Sequence, residues 1–209
     1  MDFIISALVL TGYFGLYAVA HTWLASLGVK AWVRRRFGPA AARAYRLAYN
    51  VVATVTLLPL LALLALLPQQ TLYVVPAPWA WLMVVGQLVA ILAAGLTLLQ
   101  TGALDFLGVS QLFHERSEHN GELNLSGLYA WVRHPLYTCS LIFLWLSPAM
   151  TTNSLVAYLL FTLYFYIGSI YEERRLVVEF GATYRAYQQA VPRLIPRLGR
   201  RYMPSSEVC

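Results

Sequence analysis

The side chains with the greatest chemical capacity in this sequence lie in two short segments, Arg133-His134-Pro135 and Glu172-Glu173. Arginine carries a permanent charge on a planar fork, the usual means of holding a carboxylate. Two adjacent carboxylates at the end of an apolar run are costly unless each faces water or a cation. Simpler roles compete: Arg133 as a snorkelling interfacial residue, and Glu172 as part of a solvent face in which Arg175 pairs with Glu172 at i, i+3 and Glu179 at i, i+4. That second reading leaves Glu173 with no partner on its own helix.

The other polar run is His114-Glu115-Arg116-Ser117-Glu118-His119. Its two histidines are five apart and do not share a helix face, and the order matches neither HExxH nor HxxEH. With four histidines in the whole chain, no metal site is expected and the run reads as a solvated loop. Cys139 lies within an apolar run and Cys209 is the last residue, so neither has an evident disulfide partner.

The elements that position these residues are membrane helices. Apolar residues make up 59% of the chain and charged residues 11%, far from the roughly 25% charged of a soluble domain; mean hydropathy is +0.61. Runs near the ~20 residues needed to cross a bilayer occupy residues 3–25, 47–67, 79–101 and 154–171, and a shorter one 135–147 forms a tight helical hairpin with the last. Five crossings follow. All fifteen Lys and Arg residues fall in 30–46, 116–133 and 174–201. The five crossings put these on one side, with the uncharged 69–78 loop opposite, as the positive-inside rule requires. The amino terminus is expected outside and the carboxyl terminus in the cytoplasm. Residues 3–25 lack the basic n-region of a cleaved signal peptide. The formal charge of +6 is juxtamembrane, which suits an anionic leaflet rather than nucleic acid. Trp23, Trp32, Trp79 and Trp81 sit near the ends of apolar runs as interfacial anchors.

Proline steers the residue before it away from the α region and suits the first helical position. His134 is therefore expected to be extended, with Pro135 opening a helix whose first-turn donors favour an anionic or polar ligand.

The ordered pattern Gly127-x-Tyr129-x-x-Val132-Arg133-His134-Pro135-x-Tyr137 is followed by Tyr171-Glu172-Glu173-x-x-Leu176-x-x-x-Phe180-Gly181-x-x-Tyr184-x-x-Tyr187, then Val191-Pro192-Arg193 and Pro196. Over about residues 105–197 this resembles the isoprenylcysteine carboxyl methyltransferase-like family of integral membrane methyltransferases, which includes phospholipid N-methyltransferases and bacterial small-thiol S-methyltransferases. Asp105-Phe-Leu107-Gly108-x-x-Gln111 and Trp145-x-x-Pro148-x-Met150-Thr151 are most similar to the thiol-methylating branch. Two positions depart from the wider family: Thr138-Cys139 replaces a glycine common after the Tyr137 position, and Gly168 stands where carboxyl-methylating members place an arginine.

The apolar runs predict an all-α polytopic bundle of about five transmembrane helices, with a helical hairpin and a cytoplasmic carboxyl-terminal helix. The composition shift at the polar stretch from Asp105 divides the chain into amino-terminal transmembrane helices (1–104) and a second part (105–209) that the resemblance makes the methyltransferase core. The resemblance implies S-adenosylmethionine as methyl donor, with Gln111, Tyr129, Arg133, His134, Pro135, Tyr137, Glu172 and Glu173 around it and Arg133 and Glu173 acting in catalysis. The acceptor is then a small thiol or other lipophilic molecule, or a lipid, arriving from the bilayer of a bacterial inner membrane. The competing functions are carboxyl methylation of isoprenylcysteine-like substrates, phospholipid methylation, and a non-catalytic assembly or sensing role.

Overall fold

A computed structural model describes residues 2–113 and 123–197. The elements run α1 (Asp2–Ala25), α2 (Leu27–Leu66), β1 (Thr71–Val74), α3 (Trp79–Gln100), α4 (Ala103–Leu107), α5 (Ser110–Phe113), a 3₁₀ turn (Gly127–Ala130), α6 (Pro135–Trp145), β2 (Ala149–Thr151) and α7 (Thr152–Ala190). By length and composition α1, α2, α3 and α7 can each cross a membrane, and α6 is a shorter apolar helix. The chain is thus an all-α polytopic membrane protein. It forms two compact units, whose described residues are 2–74, 102–113 and 149–161 in the first and 75–101, 123–148 and 162–197 in the second.

In the first unit α1 packs on α2. Lipid offers no hydrophobic drive between helices, so close packing and interhelical hydrogen bonds of about 0.6 kcal/mol each hold them. The Ser6 hydroxyl donates to the Pro68 carbonyl at 2.9 Å and the Tyr13 hydroxyl to the Thr56 carbonyl at 2.6 Å. Phe14 meets Phe161 edge-on at 4.9 Å. The helix α2 is broken at Gly38 (φ 83°, ψ −178°), ahead of Pro39. This separates a basic amino-terminal piece from the apolar run, so the helix reaches well upstream of residue 47, where the apolar run begins. Short α4 and α5 fold against α2, with the Asn50 amide donating to the Phe106 and Leu107 carbonyls.

The uncharged 69–78 segment is not plain loop. Its Thr-Leu-Tyr-Val run pairs antiparallel with β2, Thr71 opposite Thr151 and Val74 opposite Ala149. Three or four residues are too few for a period-2 pattern to appear in sequence, although β-branched and aromatic side chains favour the strand. The Asn153 amide donates to the Leu67 carbonyl at 3.1 Å, closing the end of α2.

In the second unit α3 packs on α6, and the Gln87 amide donates to the Phe143 carbonyl at 2.9 Å. The last helix is interrupted at Gly181 (φ 56°, ψ −124°), which separates the membrane-length portion from a final helical piece. Leu125, Tyr184, Tyr187 and Val191 form a buried cluster with Leu176 and Phe180 packed against it.

Candidate functional site

Pro135 is the first residue of α6, and His134, at φ −124° and ψ 69°, stands outside the helical region. The chain after α7 folds back along this entry. The backbone N–H groups of Arg133 and His134 donate to the Pro192 and Arg193 carbonyls at 2.9 and 3.2 Å, and the Thr138 hydroxyl donates to the Leu194 carbonyl at 2.7 Å. The two N–H groups that the bend at His134 exposes are therefore satisfied by this carboxyl-terminal strap. Its approach is set by the break at Gly181 and by the Tyr187 hydroxyl, which donates to the Tyr129 carbonyl at 2.6 Å.

Glu173 is the centre of the arrangement. Its side chain is 3% exposed and accepts six hydrogen bonds from described residues. Arg133 reaches Oε1 through Nε (2.8 Å) and Oε2 through Nη2 (3.2 Å). Arg193 does the same through Nε and Nη2, both at 3.1 Å. The His134 ring at 3.1 Å and the Gln188 amide at 2.9 Å complete the set. Nη1 of Arg133 donates to the Gln188 and Val191 carbonyls. A buried carboxylate is tolerated when its lone pairs are filled by charge-assisted bonds of this kind. Arg133 and Glu173 thus tie the α6 entry, α7 and the strap into one frame.

The His134 ring lies between the two carboxylates, with Nε2 on Glu173 Oε1 and Nδ1 3.4 Å from Glu172 Oε2. Burial alone would lower its pKa; the hydrogen bonds to Glu172 and Glu173 outweigh that and raise it. With an acceptor at each nitrogen, the doubly protonated ring is favoured. The ring stacks on Tyr137 (5.4 Å, 6°), which stacks on Phe165 (5.2 Å, 11°). The Tyr137 hydroxyl donates to Glu172 Oε2 at 3.1 Å. Glu172 differs from Glu173: its side chain is 48% exposed, and Oε1 accepts no hydrogen bond among the described residues. One carboxylate is saturated and the other has room for a cationic ligand. The Tyr129 phenol is pushed up to about 12 by burial and then by the charge of Glu172.

Beside Glu173 a cavity of about 290 Å³ is lined by Ile170, Glu173, Arg174, Val177, Gln188 and Arg193. Glu172, with one oxygen open among the described residues, can face a positive centre, and the two arginines of the cavity wall can face a carboxylate.

Of the residues expected to form the site, Arg133, His134, Tyr137, Glu172 and Glu173 meet through their side chains. Tyr129 and Pro135 belong to the same unit, Tyr129 tied through its carbonyl and Pro135 opening the helix. Gln111 belongs to the first unit, where its amide donates to the Asp105 carbonyl at 3.1 Å. The His114 to His119 run lies outside the described residues. Gln188, Arg193 and Phe165 were not singled out from the sequence as site residues. Arg193 did stand in the quoted Val-Pro-Arg pattern, but nothing there assigned it a partner twenty positions earlier.

No protein-family model matches the chain, and no solved structure matches it significantly. Named relatives do. It is 34% identical over 196 residues to methanethiol S-methyltransferase 2 of Bradyrhizobium diazoefficiens, covering 89% of this chain and 71% of that one. It is 34% identical to a Pseudomonas methanethiol S-methyltransferase over 87% of this chain and 70% of the other. A Crocosphaera subtropica protein of the same name is 29% identical over 91% and 74%.

Proposed function

We infer, from the premise that this chain belongs to the bacterial small-thiol S-methyltransferases of the membrane methyltransferase family, that it transfers a methyl group to the sulfur of a small thiol, with methanethiol as the model acceptor. The observation that carries this reading is the likeness to methanethiol S-methyltransferases over about nine-tenths of the chain. The meeting of Arg133, His134, Tyr137, Glu172 and Glu173 in one cluster supports it.

S-adenosylmethionine, the proposed donor, supplies when bound a methyl group on a positively charged sulfur. Glu172, with an oxygen free among the described residues, would face that positive charge. Arg133 and Glu173 enter as positioning residues, since every polar atom of each is engaged by protein partners and together they hold His134, Pro135 and the strap in place.

Holding two reactants at attack distance away from water supplies much of the acceleration of a displacement that needs no protein nucleophile. The acceptor sulfur gains the methyl group and loses its proton, and the thiolate is the reactive form.

A Cβ placed on Gly168 would stand 3.9 Å from the Tyr137 hydroxyl. An arginine at that position would lie beside the Tyr137–Glu172 pair. The absence of a cation there argues against a carboxylate acceptor, which needs one in a site of low dielectric. We place the chemistry in residues 105–209 of a bacterial inner-membrane protein whose membrane lipids surround the helices and admit the apolar acceptor.

Purified protein in detergent, given methyl-labelled S-adenosylmethionine, is expected to label methanethiol faster than farnesylcysteine. Transfer to farnesylcysteine without transfer to short alkyl thiols would establish carboxyl methylation in its place.

A further inference from the structure

The sequence points to Arg133 as the cation for a ligand carboxylate, but each of its three guanidinium nitrogens already donates to a protein acceptor. Nε and Nη2 lie on Glu173, Nη1 donates to two backbone carbonyls, and the side chain is 9% exposed. Arg193 is placed differently. Its Nε and Nη2 also lie on Glu173, yet Nη1 makes no hydrogen bond among the described residues, and the side chain is 29% exposed in the wall of the 290 Å³ cavity.

We propose that Arg193 receives the carboxylate of the methyl donor's amino-acid end in this cavity, an assignment that rests on the donor reading above. The local charge supports an anion. Arg133 and Arg193 bring two positive charges to the single negative charge of Glu173. Glu173 cannot neutralise both arginines, and Arg174 adds another cation to the same wall. A concave wall with surplus positive charge concentrates anions.

The guanidinium is also held in advance of binding. Two bonds to Glu173 fix its plane, the Tyr166 ring lies 5.7 Å from it, and the His134 N–H anchors the Arg193 carbonyl. The Glu173 carboxylate thus orients Arg193, while Nη1 keeps donors for a second carboxylate. A guanidinium has five N–H donors in a rigid fork and can serve two carboxylates in this way, whereas an ammonium lacks that geometry.

The test separates a carboxylate contact from general support of the pocket. Binding of S-adenosylhomocysteine and of its decarboxylated analogue is measured by calorimetry on the full chain in detergent, for the unsubstituted protein, Arg193→Gln and Arg193→Lys. Losing one partner of a charged hydrogen-bonded pair predicts that Arg193→Gln weakens S-adenosylhomocysteine about 30-fold or more. Affinity for the decarboxylated analogue should stay within about threefold, which also shows that the variant is folded. Arg193→Lys keeps the charge without the fork and should show a smaller loss confined to the carboxylate-bearing ligand. It carries the test if the Gln variant does not fold. Equal weakening of both ligands, or none, overturns the assignment. Failure of the unsubstituted protein to bind S-adenosylhomocysteine overturns the donor reading itself, and the assignment with it.

Discussion

A histidine held between two carboxylates makes the frame around Glu173 sensitive to alkali. His134 donates toward Glu173 and Glu172 only while both nitrogens carry protons, and its pKa in the folded protein is raised. Its stabilising contribution is therefore complete below the unfolded value of about 6.5 and is lost as pH rises through the higher folded value. The thermal midpoint in detergent should fall as pH climbs from about 6.5 toward 9, and His134→Gln, which titrates nowhere in that window, should flatten the decline. An undiminished slope in the variant would assign the effect to another group. The residues involved were legible as types: Arg-His-Pro and Glu-Glu stood out because charged groups bordering apolar runs need a reason. Their partners were not legible. Helical spacing reveals pairs three or four apart, such as Arg175 with Glu172, whereas Glu173 takes Arg133 from forty positions upstream and Arg193 from twenty downstream. Those distances depend on chain reversals that carry no periodic signal.

One such reversal is visible in α7. In a straight helix Gln188 would lie roughly 22 Å along the axis from Glu173, fifteen residues at about 1.5 Å each, yet its amide reaches the carboxylate at 2.9 Å. The break at Gly181 (φ 56°) turns the last piece back. The Phe-Gly-x-x-Tyr pattern marks that position in sequence, but an isolated glycine inside a helical run reads equally as a tolerated residue. A Cβ at Gly181 meets nothing within 4 Å, so Gly181→Ala carries only the backbone cost of its sparsely populated φ/ψ, on the order of 1–3 kcal/mol. Gly108 ends α4 with φ +89°, and a Cβ there would lie 2.5 Å from the Leu47 backbone nitrogen. That backbone cannot swing aside as a side-chain tip can. Gly108→Ala should therefore lower the thermal midpoint by clearly more than Gly181→Ala. Equal shifts in thermal unfolding would show that α4 is free to move off α2.

For the whole molecule, the sequence supplied the membrane class and the long helices, because both follow from apolar runs measured against bilayer thickness. The fourth crossing was harder, since α6 has 11 residues and covers only about 16 Å of a hydrocarbon layer of about 30 Å. The pairing of β1 with β2 bears on the count. Residues 71–74 and 149–151 are hydrogen-bonded strands and must occupy the same side of the membrane. The chain that leaves β1 through α3 therefore has to return before β2, and α6 is the helix available for the return among the described residues. With α1 and α2 before β1 and α7 after β2, the expected topology has five passages and termini on opposite sides. The clusters of Lys and Arg at 30–46 and 174–201, against none at 69–78, then favour an outside amino terminus and a cytoplasmic carboxyl terminus. Single cysteines introduced as Gln69→Cys and Arg197→Cys, with Cys139 and Cys209 replaced by serine, test this with a membrane-impermeant maleimide. Position 69 should react in intact cells of a host whose outer membrane admits the reagent, and position 197 only after the inner membrane is opened. Reaction of both positions from the same side would mean that α6 or another helix fails to cross, and the five-passage topology would fall.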